Sequence, residues 1–519
     1  TVDGFIITQT SDVYAFTIYG VSDVTLSNNI IDFHALEGFD SYAVYANTVN
    51  NLNLINNTIR YVGNTDGTVV NNAVRIEGDD EDEPATGIVV SGNTFDIQMP
   101  SVDVGYDPDT WASTVMNDAI VFYYCEDLEF VDNSVKVEYN DVTTAYGYDS
   151  MYAVSVRSDA YTFGEVQSNN VAIVNNTIDI AGHSCVYPVY VCANNFAVTG
   201  NNITSTSETY LAHGIDVDGP SAVGSVSENI IVAEAPIAAY GIYSYQYMGA
   251  IEDVTYVDNF IDVTAYGSAG MEIVECNPMI TDNEITAKGN YTYGIIASIR
   301  DEGIISDNMI AVLGSNVGSD ATGDGLMPKN SMGISVKGNC LIEDNVVGST
   351  NIGINLVEDG EITVTGNTID VEANALIDSY GIYSHGLSDV TIADNEIIFV
   401  GNTNGTVVNN AVRVEGDDDE DEPAPATGIV VSGNTFDVQM PSVDVGYDPD
   451  TWASTVMNDA IVFYYVDDLM FVGNDVKVEY NDVSTAYGYD SLYAVSVRSD
   501  AYTFGEVRSR SEERFSRNA

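Results

Sequence analysis

Short apolar segments rich in β-branched residues alternate with polar turns along the whole chain. Residues 390–392 (VTI) and 24–26 (VTL) show the alternation that is typical of half-buried β-strands, and Asn, Asp, Gly and Ser bound these segments. No stretch of ten or more residues has helical periodicity. The pattern therefore predicts an all-β protein built from short strands.

Two anchor residues recur with this pattern. One is an Asn two positions before an apolar residue, which we call the corner Asn; it occurs at Asn29, Asn57, Asn93, Asn133, Asn176, Asn201, Asn229, Asn259, Asn283, Asn308, Asn345, Asn367, Asn395, Asn434 and Asn474. The other is a small residue near the start of the preceding strand, at Ala15, Ala43, Ala73, Ala119, Ala153, Pro188, Gly214, Gly241, Gly270, Gly294, Gly333, Gly353, Gly381, Ala411 and Ala460.

The spacing between the anchors is nearly constant on one side only. Ala43 to Asn57 and Gly353 to Asn367 are both 14 residues, whereas the return from corner Asn to small residue ranges from 8 to 26. A repeat in which one segment keeps its length and the other varies in length is typical of a stacked solenoid. We therefore predict a parallel β-helix of about fifteen turns with loop insertions on one side, roughly 70 Å long. The corner Asn side chains should stack and bond to one another and to the turn backbone.

The sequence GIYSHGLSDVTIADNEI, at residues 381–397, resembles the right-handed parallel β-helix proteins of the pectate-lyase-like superfamily. More narrowly, the chain resembles the adhesin-like surface proteins of methanogenic archaea. The resemblance covers residues 1–507 and implies that the parallel β-helix is right-handed. It does not define an activity, because the superfamily includes lyases, hydrolases, epimerases, phage spikes and adhesins.

A long duplication interrupts the simple repeat. Residues 41–166 recur as 379–507, with near identity between 63–166 and 401–507. Copying of whole loops is typical of modular surface proteins, so we predict one β-helix domain over 1–507 in an extracellular or cell-surface protein. Residues 508–519 abandon the repeat, and we expect them to be disordered or an artefact of truncation. We interpret the chain as a fragment whose export signal and anchor lie elsewhere.

Charge restricts the partners. The chain has 79 acidic and 15 basic residues, a net charge of −64, which excludes nucleic acid because phosphate contacts need Lys and Arg. No apolar run is long enough for membrane insertion. Five cysteines show no metal-binding spacing. Cys185 and Cys192 are close enough in sequence to suggest a disulfide; the alternative is that all five are small buried side chains.

The duplicated loops contain the candidate binding residues. An aromatic platform for glycans or other cell surfaces is predicted at Trp111, Tyr106, Asp107 and Asp109 and at their twins Trp452, Tyr447, Asp448 and Asp450; the alternative is a Trp folded over the core edge. The acidic runs at residues 77–83 and 415–422 indicate either low-affinity calcium sites or solvated loops. The calcium ligands would be Asp79, Asp80, Asp82, Asp417, Asp418 and Asp419. No other cofactor is expected.

Catalysis has weaker support in the sequence. The candidate residues are His213, Asp216 and Asp218, with His385-Gly386 as a second short hydrolase-like signature, but no other motif accompanies either histidine. His213 also occupies the position that Tyr240 holds in another repeat. Basic residues are few for a polysaccharide lyase. We therefore predict an adhesin-like protein that displays glycan- or cell-contacting loops on a rigid β-helix, and lean against an enzyme. The alternatives are a polysaccharide-active lyase or glycoside hydrolase, and a passive envelope stalk.

Overall fold

The structure is a computed structural model. It describes residues 1–10, 12–64, 69–79, 83–100, 104–107, 112–115, 118–140, 150–157, 168–218, 223–245, 253–315, 330–357, 360–373, 377–402, 408–417, 424–441, 447–448, 453–454, 459–481 and 493–498. At 104–107, 112–115, 140, 441, 447–448, 453–454 and 481 it describes the backbone alone. The chain divides into two compact units, Thr1–Tyr266 (unit 1) and Gly267–Ala519 (unit 2). In the described part of the chain, no helix is long and apolar enough to cross a membrane.

Unit 1 contains twenty-seven strands before the strand at which the units divide. They are β1 (Val2–Asp3), β2 (Ile6–Gln9), β3 (Tyr14–Tyr19), β4 (Ser22–Ser27), β5 (Ile30–His34), β6 (Ser41–Asn47), β7 (Asn50–Ile55), β8 (Thr58–Val62), β9 (Asn71–Glu77), β10 (Ala85–Ser91), β11 (Thr94–Pro100), β12 (Val104–Asp107), β13 (Ala112–Val115), β14 (Ile120–Tyr123), β15 (Cys125–Val131), β16 (Ser134–Asn140), β17 (Ser150–Arg157), β18 (Asn169–Val174), β19 (Thr177–Gly182), β20 (Cys185–Cys192), β21 (Asn195–Thr199), β22 (Asn202–Ser207), β23 (Leu211–Asp218), β24 (Val223–Ser227), β25 (Ile230–Glu234), β26 (Ala238–Ser244) and β27 (Val254–Val257).

The dividing strand is β28 (Phe260–Cys276). The remaining strands belong to unit 2: β29 (Met279–Thr281), β30 (Glu284–Ile299), β31 (Gly303–Ser306), β32 (Met309–Gly314), β33 (Met332–Lys337), β34 (Cys340–Glu343), β35 (Val346–Ser349), β36 (Ile352–Val357), β37 (Ile362–Thr365), β38 (Thr368–Glu372), β39 (Ser379–His385), β40 (Val390–Ala393), β41 (Glu396–Val400), β42 (Asn409–Glu415), β43 (Ile429–Ser432), β44 (Thr435–Pro441), β45 (Tyr447–Asp448), β46 (Ala453–Ser454), β47 (Ile461–Tyr464), β48 (Leu469–Val472), β49 (Asp475–Asn481) and β50 (Val495–Arg498).

Each turn contributes three strand segments, and each pairs in parallel with its counterpart in the next turn; in β28 and β30 the third-column and first-column segments form one long strand. In unit 1 the first column is β3-β6-β9-β14-β17-β20-β23-β26, the second is β4-β7-β10-β15-β18-β21-β24-β27, and the third is β2-β5-β8-β11-β16-β19-β22-β25. Unit 2 repeats the arrangement, with β33-β36-β39-β42-β47-β50 in its first column. The predicted all-β fold, a parallel β-helix, is therefore confirmed. The copied insertions add two antiparallel hairpins, β12–β13 and β45–β46.

The corner Asn joins the second column to the third. Two residues make this connection in all fifteen turns that have a corner Asn: the first has a positive φ, as at Asn56 (53°) and Gly92 (65°), and the second is the corner Asn. Asn57 donates from its backbone N–H (2.8 Å) and from Nδ2 (3.0 Å) to Oδ1 of Asn93 in the next turn. Its Nδ2 also donates to the Leu26 carbonyl at 2.8 Å. The predicted ladder of stacked amides is confirmed within each unit.

The small residue is required by close packing inside the first column. A Cβ at Gly294 would lie 2.4 Å from the Gly333 carbonyl oxygen and 2.3 Å from Cγ2 of Ile310. Both distances are below van der Waals contact. This anchor is therefore a packing requirement rather than a binding feature.

The loop insertions flank the first column. The connections from third to first and from first to second column vary in length, whereas the second-to-third corner stays at two residues. In the chain, the insertions therefore come directly before or after first-column strands.

The cysteines follow the buried interpretation. All five are buried and are thiols rather than disulfides. The suggested Cys185–Cys192 bridge is wrong, because both lie on β20, seven residues or about 23 Å apart, whereas a disulfide needs Cα atoms about 4.4–6.8 Å apart.

Candidate functional site

The outward face of the first column in unit 1 carries polar and aromatic side chains from turn to turn. Its side chains form three rows: the residue before each small residue (first row), the second residue after it (second row) and the fourth after it (third row). Strand register makes the second row continuous through Thr17, Tyr45, Arg75, Val121, Ser155, Tyr190, Asp216 and Tyr243. Because parallel strands are spaced about 4.8 Å apart, side chains in a row touch their neighbours.

A histidine–carboxylate pair lies on β23, the seventh of the eight first-column strands of unit 1. His213 Nδ1 and Asp216 Oδ1 are 2.5 Å apart, and each residue is only 5% exposed. Burial raises the pKa of Asp216, while His213 acts in the opposite direction. Register places His213 opposite Tyr240, as the repeat predicted. The pair therefore has the composition of a proton-transfer site but is almost closed to solvent.

Aromatic rings enclose the histidine. The ring centroids of Tyr187, Tyr240 and Tyr243 lie 4.7, 4.8 and 5.3 Å from that of His213. The Tyr187 and Tyr152 rings stack at 4.6 Å, with 13° between their planes. Burial raises the pKa of Tyr187 well above its usual value, so its hydroxyl stays protonated at neutral pH. These rings supply flat apolar surfaces edged with hydroxyl groups.

An arginine–carboxylate pair borders the aromatic cluster. Arg157 donates from Nε (2.7 Å) and a terminal nitrogen (3.2 Å) to the two oxygens of Asp118, which is fully buried. Its guanidinium lies 4.6 Å from the ring centroid of Tyr152 and 5.0 Å from that of Tyr190. Burial lowers the pKa of Arg157, but Asp118, Tyr123 and Tyr152 together outweigh burial and hold that pKa above its usual value. This cation is already neutralised.

The predicted pair Asp216 and Asp218 lies on one strand, on the outward side of β23. Inward-pointing Ile215 and Val217 alternate with them and are buried. Asp218 accepts a hydrogen bond from the Tyr190 hydroxyl at 3.0 Å and is less buried than Asp216. The two carboxylates therefore have different partners and different access to solvent.

Most of the predicted loop residues fall outside the described side chains. This applies to Trp111, Asp109, Trp452, Asp450, Asp80, Asp82, Asp418 and Asp419, and to the side chains of Tyr106, Asp107, Tyr447 and Asp448. Asp79 is exposed and forms a backbone bridge with Glu83, and Asp417 forms one with Ala424. Within the described ranges, no three His, Cys, Asp or Glu side chains are grouped to hold a metal ion. The platform and calcium hypotheses remain predictions.

Sequence reasoning missed the rows themselves. It identified His213, Asp216 and Asp218 but not the tyrosines around them or the Arg157–Asp118 pair. The signal was available, because each row occupies a constant offset from the small residue. Aligning the turns on their small residues and comparing the side chains at each of the three offsets would have identified the face.

Comparison with known proteins adds little. No protein family and no curated protein match the chain. Among solved structures, the mannuronan C-5 epimerase AlgE6 A-module of Azotobacter vinelandii is similar at 14% identity, with 87% of this chain and 90% of that chain covered and a TM-score of 0.32. The AlgE4 A-module of the same organism is similar at 12% identity, with 85% and 90% covered and a TM-score of 0.27. With TM-scores this low, every inference below rests on this chain's own strands and side chains.

Proposed function

We propose that the chain binds a polysaccharide along the outward face of the first column in unit 1. The supporting observation is the group of tyrosine rings that begins around the buried His213 and reaches solvent through Tyr243, whose ring stacks on that of Tyr245, 43% exposed, with centroids 6.0 Å apart. Flat rings edged with hydroxyl groups suit the apolar faces and hydroxyls of sugars. Continuity from turn to turn suits a polymer better than a small ligand.

Charge favours a neutral polymer. On this face the guanidinium groups of Arg75 and Arg157 are bound by Glu77 and Asp118. An anionic sugar would find these cations neutralised and would approach a chain of net charge −64. A neutral sugar meets neither obstacle.

The adhesin-like role is the cellular form of this proposal. A strongly acidic surface keeps copies of a chain apart, which suits display outside the cell. We therefore propose an extracellular or cell-surface protein that contacts glycans of its surroundings. The duplicated loops carrying Trp111 and Trp452 are proposed as additional contacts.

A second candidate function is a polysaccharide-active enzyme. The observation that favours it is the His213–Asp216 pair, at 2.5 Å and surrounded by tyrosines. Proton transfer at a sugar carbon or at a glycosidic oxygen needs an acid and a base within hydrogen-bonding reach. The 5% exposure of both residues argues against ready access, so binding is placed first.

Size-exclusion chromatography of the chain with neutral and acidic polysaccharides, with and without calcium, tests the proposal. We expect co-elution with an intact neutral polymer. The double variant Tyr243→Ala/Tyr245→Ala should weaken it, since Tyr245 is 43% exposed, whereas Phe260→Ala, 40% exposed on β28, should not. The Trp111→Ala/Trp452→Ala variant reports on the loops.

The outcomes separate the two candidates. Shortened or chemically altered polymer, lost in His213→Ala, supports the enzyme. Failure to co-elute with any polymer contradicts the binding proposal.

A further inference from the structure

Unit 2 repeats the arginine–tyrosine part of the face just described. We propose that it forms a second binding face for the same class of ligand, a neutral polysaccharide, so that one chain holds two polymer segments. The inference rests on the proposed function of unit 1. The matching residues are Tyr45, Arg75, Glu77 and Tyr123 in unit 1, and Tyr383, Arg413, Glu415 and Tyr464 in unit 2.

The two clusters have the same geometry. In unit 2, Arg413 Nε donates to Glu415 Oε2 at 2.7 Å, the Tyr383 hydroxyl donates to Glu415 Oε1, and the guanidinium lies 4.8 Å from the Tyr464 ring centroid. In unit 1 the corresponding Arg–Glu and Arg–Tyr distances are 2.6 and 4.7 Å, and the Tyr hydroxyl bond is also present.

The tyrosines persist where the two copies differ most. Residues 41–62 and 379–400 are identical only at Ser41, Tyr42, Tyr45, Asn57, Ile59 and Val62. Ser41, Asn57 and Ile59 are buried and explained by packing or by the ladder. Tyr42 and Tyr45 belong to the outward rows; Tyr42 is itself buried at 6% exposure, so the half-buried Tyr45 carries the comparison. Other outward positions changed, with Asn47 replaced by His385 and Arg60 by Ile398.

The chemistry of the unit 2 cluster suits neutral hydroxyl groups. The side chains of Arg413 and Glu415 are 15% and 13% exposed, so their edges reach solvent. A sugar hydroxyl can accept from the guanidinium and donate to the carboxylate, whereas a sugar carboxylate would be repelled by Glu415. The half-buried Tyr383 ring gives the apolar surface, while the buried Tyr464 and Tyr380 rings pack against the guanidinium, with centroids 4.8 and 6.0 Å from it.

Two faces on one chain have a consequence that one face does not have. A chain with one face coats a polysaccharide-covered bead, whereas a chain with two faces links beads together. Linked binding also strengthens attachment to a polymer by about 10²–10⁴-fold where both faces engage. Bead agglutination therefore reports on the second face separately from binding itself.

The experiment measures both binding to and agglutination of beads coated with the neutral polymer retained in the chromatography above. Monomeric protein, checked by light scattering, is used throughout. The unit 2 variants are Tyr383→Ala and Tyr383→Phe, the reciprocal unit 1 variant is Tyr243→Ala/Tyr245→Ala, and the control is Ile398→Arg, which restores the residue of the first copy. Melting curves verify that each variant folds.

We expect the wild-type chain and Ile398→Arg to bind and agglutinate. Tyr383→Ala should bind with at least tenfold less agglutination, and the unit 1 variant should do the same. Tyr383→Phe keeps the ring but loses the hydrogen bond to Glu415. It replaces Tyr383→Ala as the unit 2 variant if the alanine variant does not fold. Undiminished agglutination by folded Tyr383 variants overturns the second face while leaving the first intact. Absence of wild-type binding removes both proposals.

Discussion

The asparagine ladder should make one buried side chain matter far more than its exposed neighbour. Asn201 Oδ1 accepts from the Asn176 backbone N–H (2.9 Å) and from Asn176 Nδ2 (3.0 Å). Its own Nδ2 donates to the Ile173 carbonyl (2.8 Å) and to Asn229 Oδ1 (2.9 Å). Asn201→Ala removes all four hydrogen bonds and deprives the buried Asn176 N–H of this acceptor.

The cost follows from these four bonds. An unsatisfied buried donor costs about 1–3 kcal/mol, and each lost bond about 1 kcal/mol net, with cavity relaxation recovering part of the total. We expect a loss of about 3 kcal/mol, or roughly 150-fold in a local opening constant. The control is Asn202→Ala, since Asn202 is exposed and such changes usually stay within about 0.5 kcal/mol.

Hydrogen–deuterium exchange read by mass spectrometry suits a solenoid, because turns can open locally. Peptides covering residues 170–205 should exchange roughly 150-fold faster in Asn201→Ala and nearly unchanged in Asn202→Ala. Equal, small effects in both variants would refute the ladder as a source of stability.

Three further predictions concern the core and the face. Gly294→Ala places a Cβ 2.3 Å from Ile310 Cγ2 and should cost about 1–3 kcal/mol in urea unfolding, whereas Gly348→Ala, whose nearest atom is 3.7 Å away, should be tolerated. The five cysteines should resist maleimide in the native state because all are buried, and labelling at pH 8 without denaturant would contradict this. For Cys340 burial also raises the pKa to about 12, so its contribution to stability is complete below pH 9 and lost as pH rises through 12. Arg157→Met leaves Asp118 buried without its counter-ion and should cost about 3–5 kcal/mol in thermal melts, while Asp118→Asn/Arg157→Met should recover part of that loss.

The sequence was sufficient for the fold because the fold is local and repeated. The corner Asn satisfies buried hydrogen-bonding groups in each turn. The small residue allows close backbone contact between turns, where a larger side chain would clash. Their spacing alone therefore located the strands of each turn. The suggested disulfide is wrong because residues close in sequence are far apart in space when an extended strand joins them. Cys185 and Cys192 are the two ends of β20.

The candidate site depends on register between turns, which the spacing of one turn does not reveal. Tyr190 and Asp216 are 26 positions apart in the chain but adjacent in the second row, because β20 and β23 pair in parallel. The same alignment places Tyr187 and Tyr240 on either side of His213. Variable loop lengths hide this alignment in the sequence. Only after the first column is aligned on its small residues do the outward tyrosines form rows, and those rows, rather than any single motif, are what the proposed glycan contact requires.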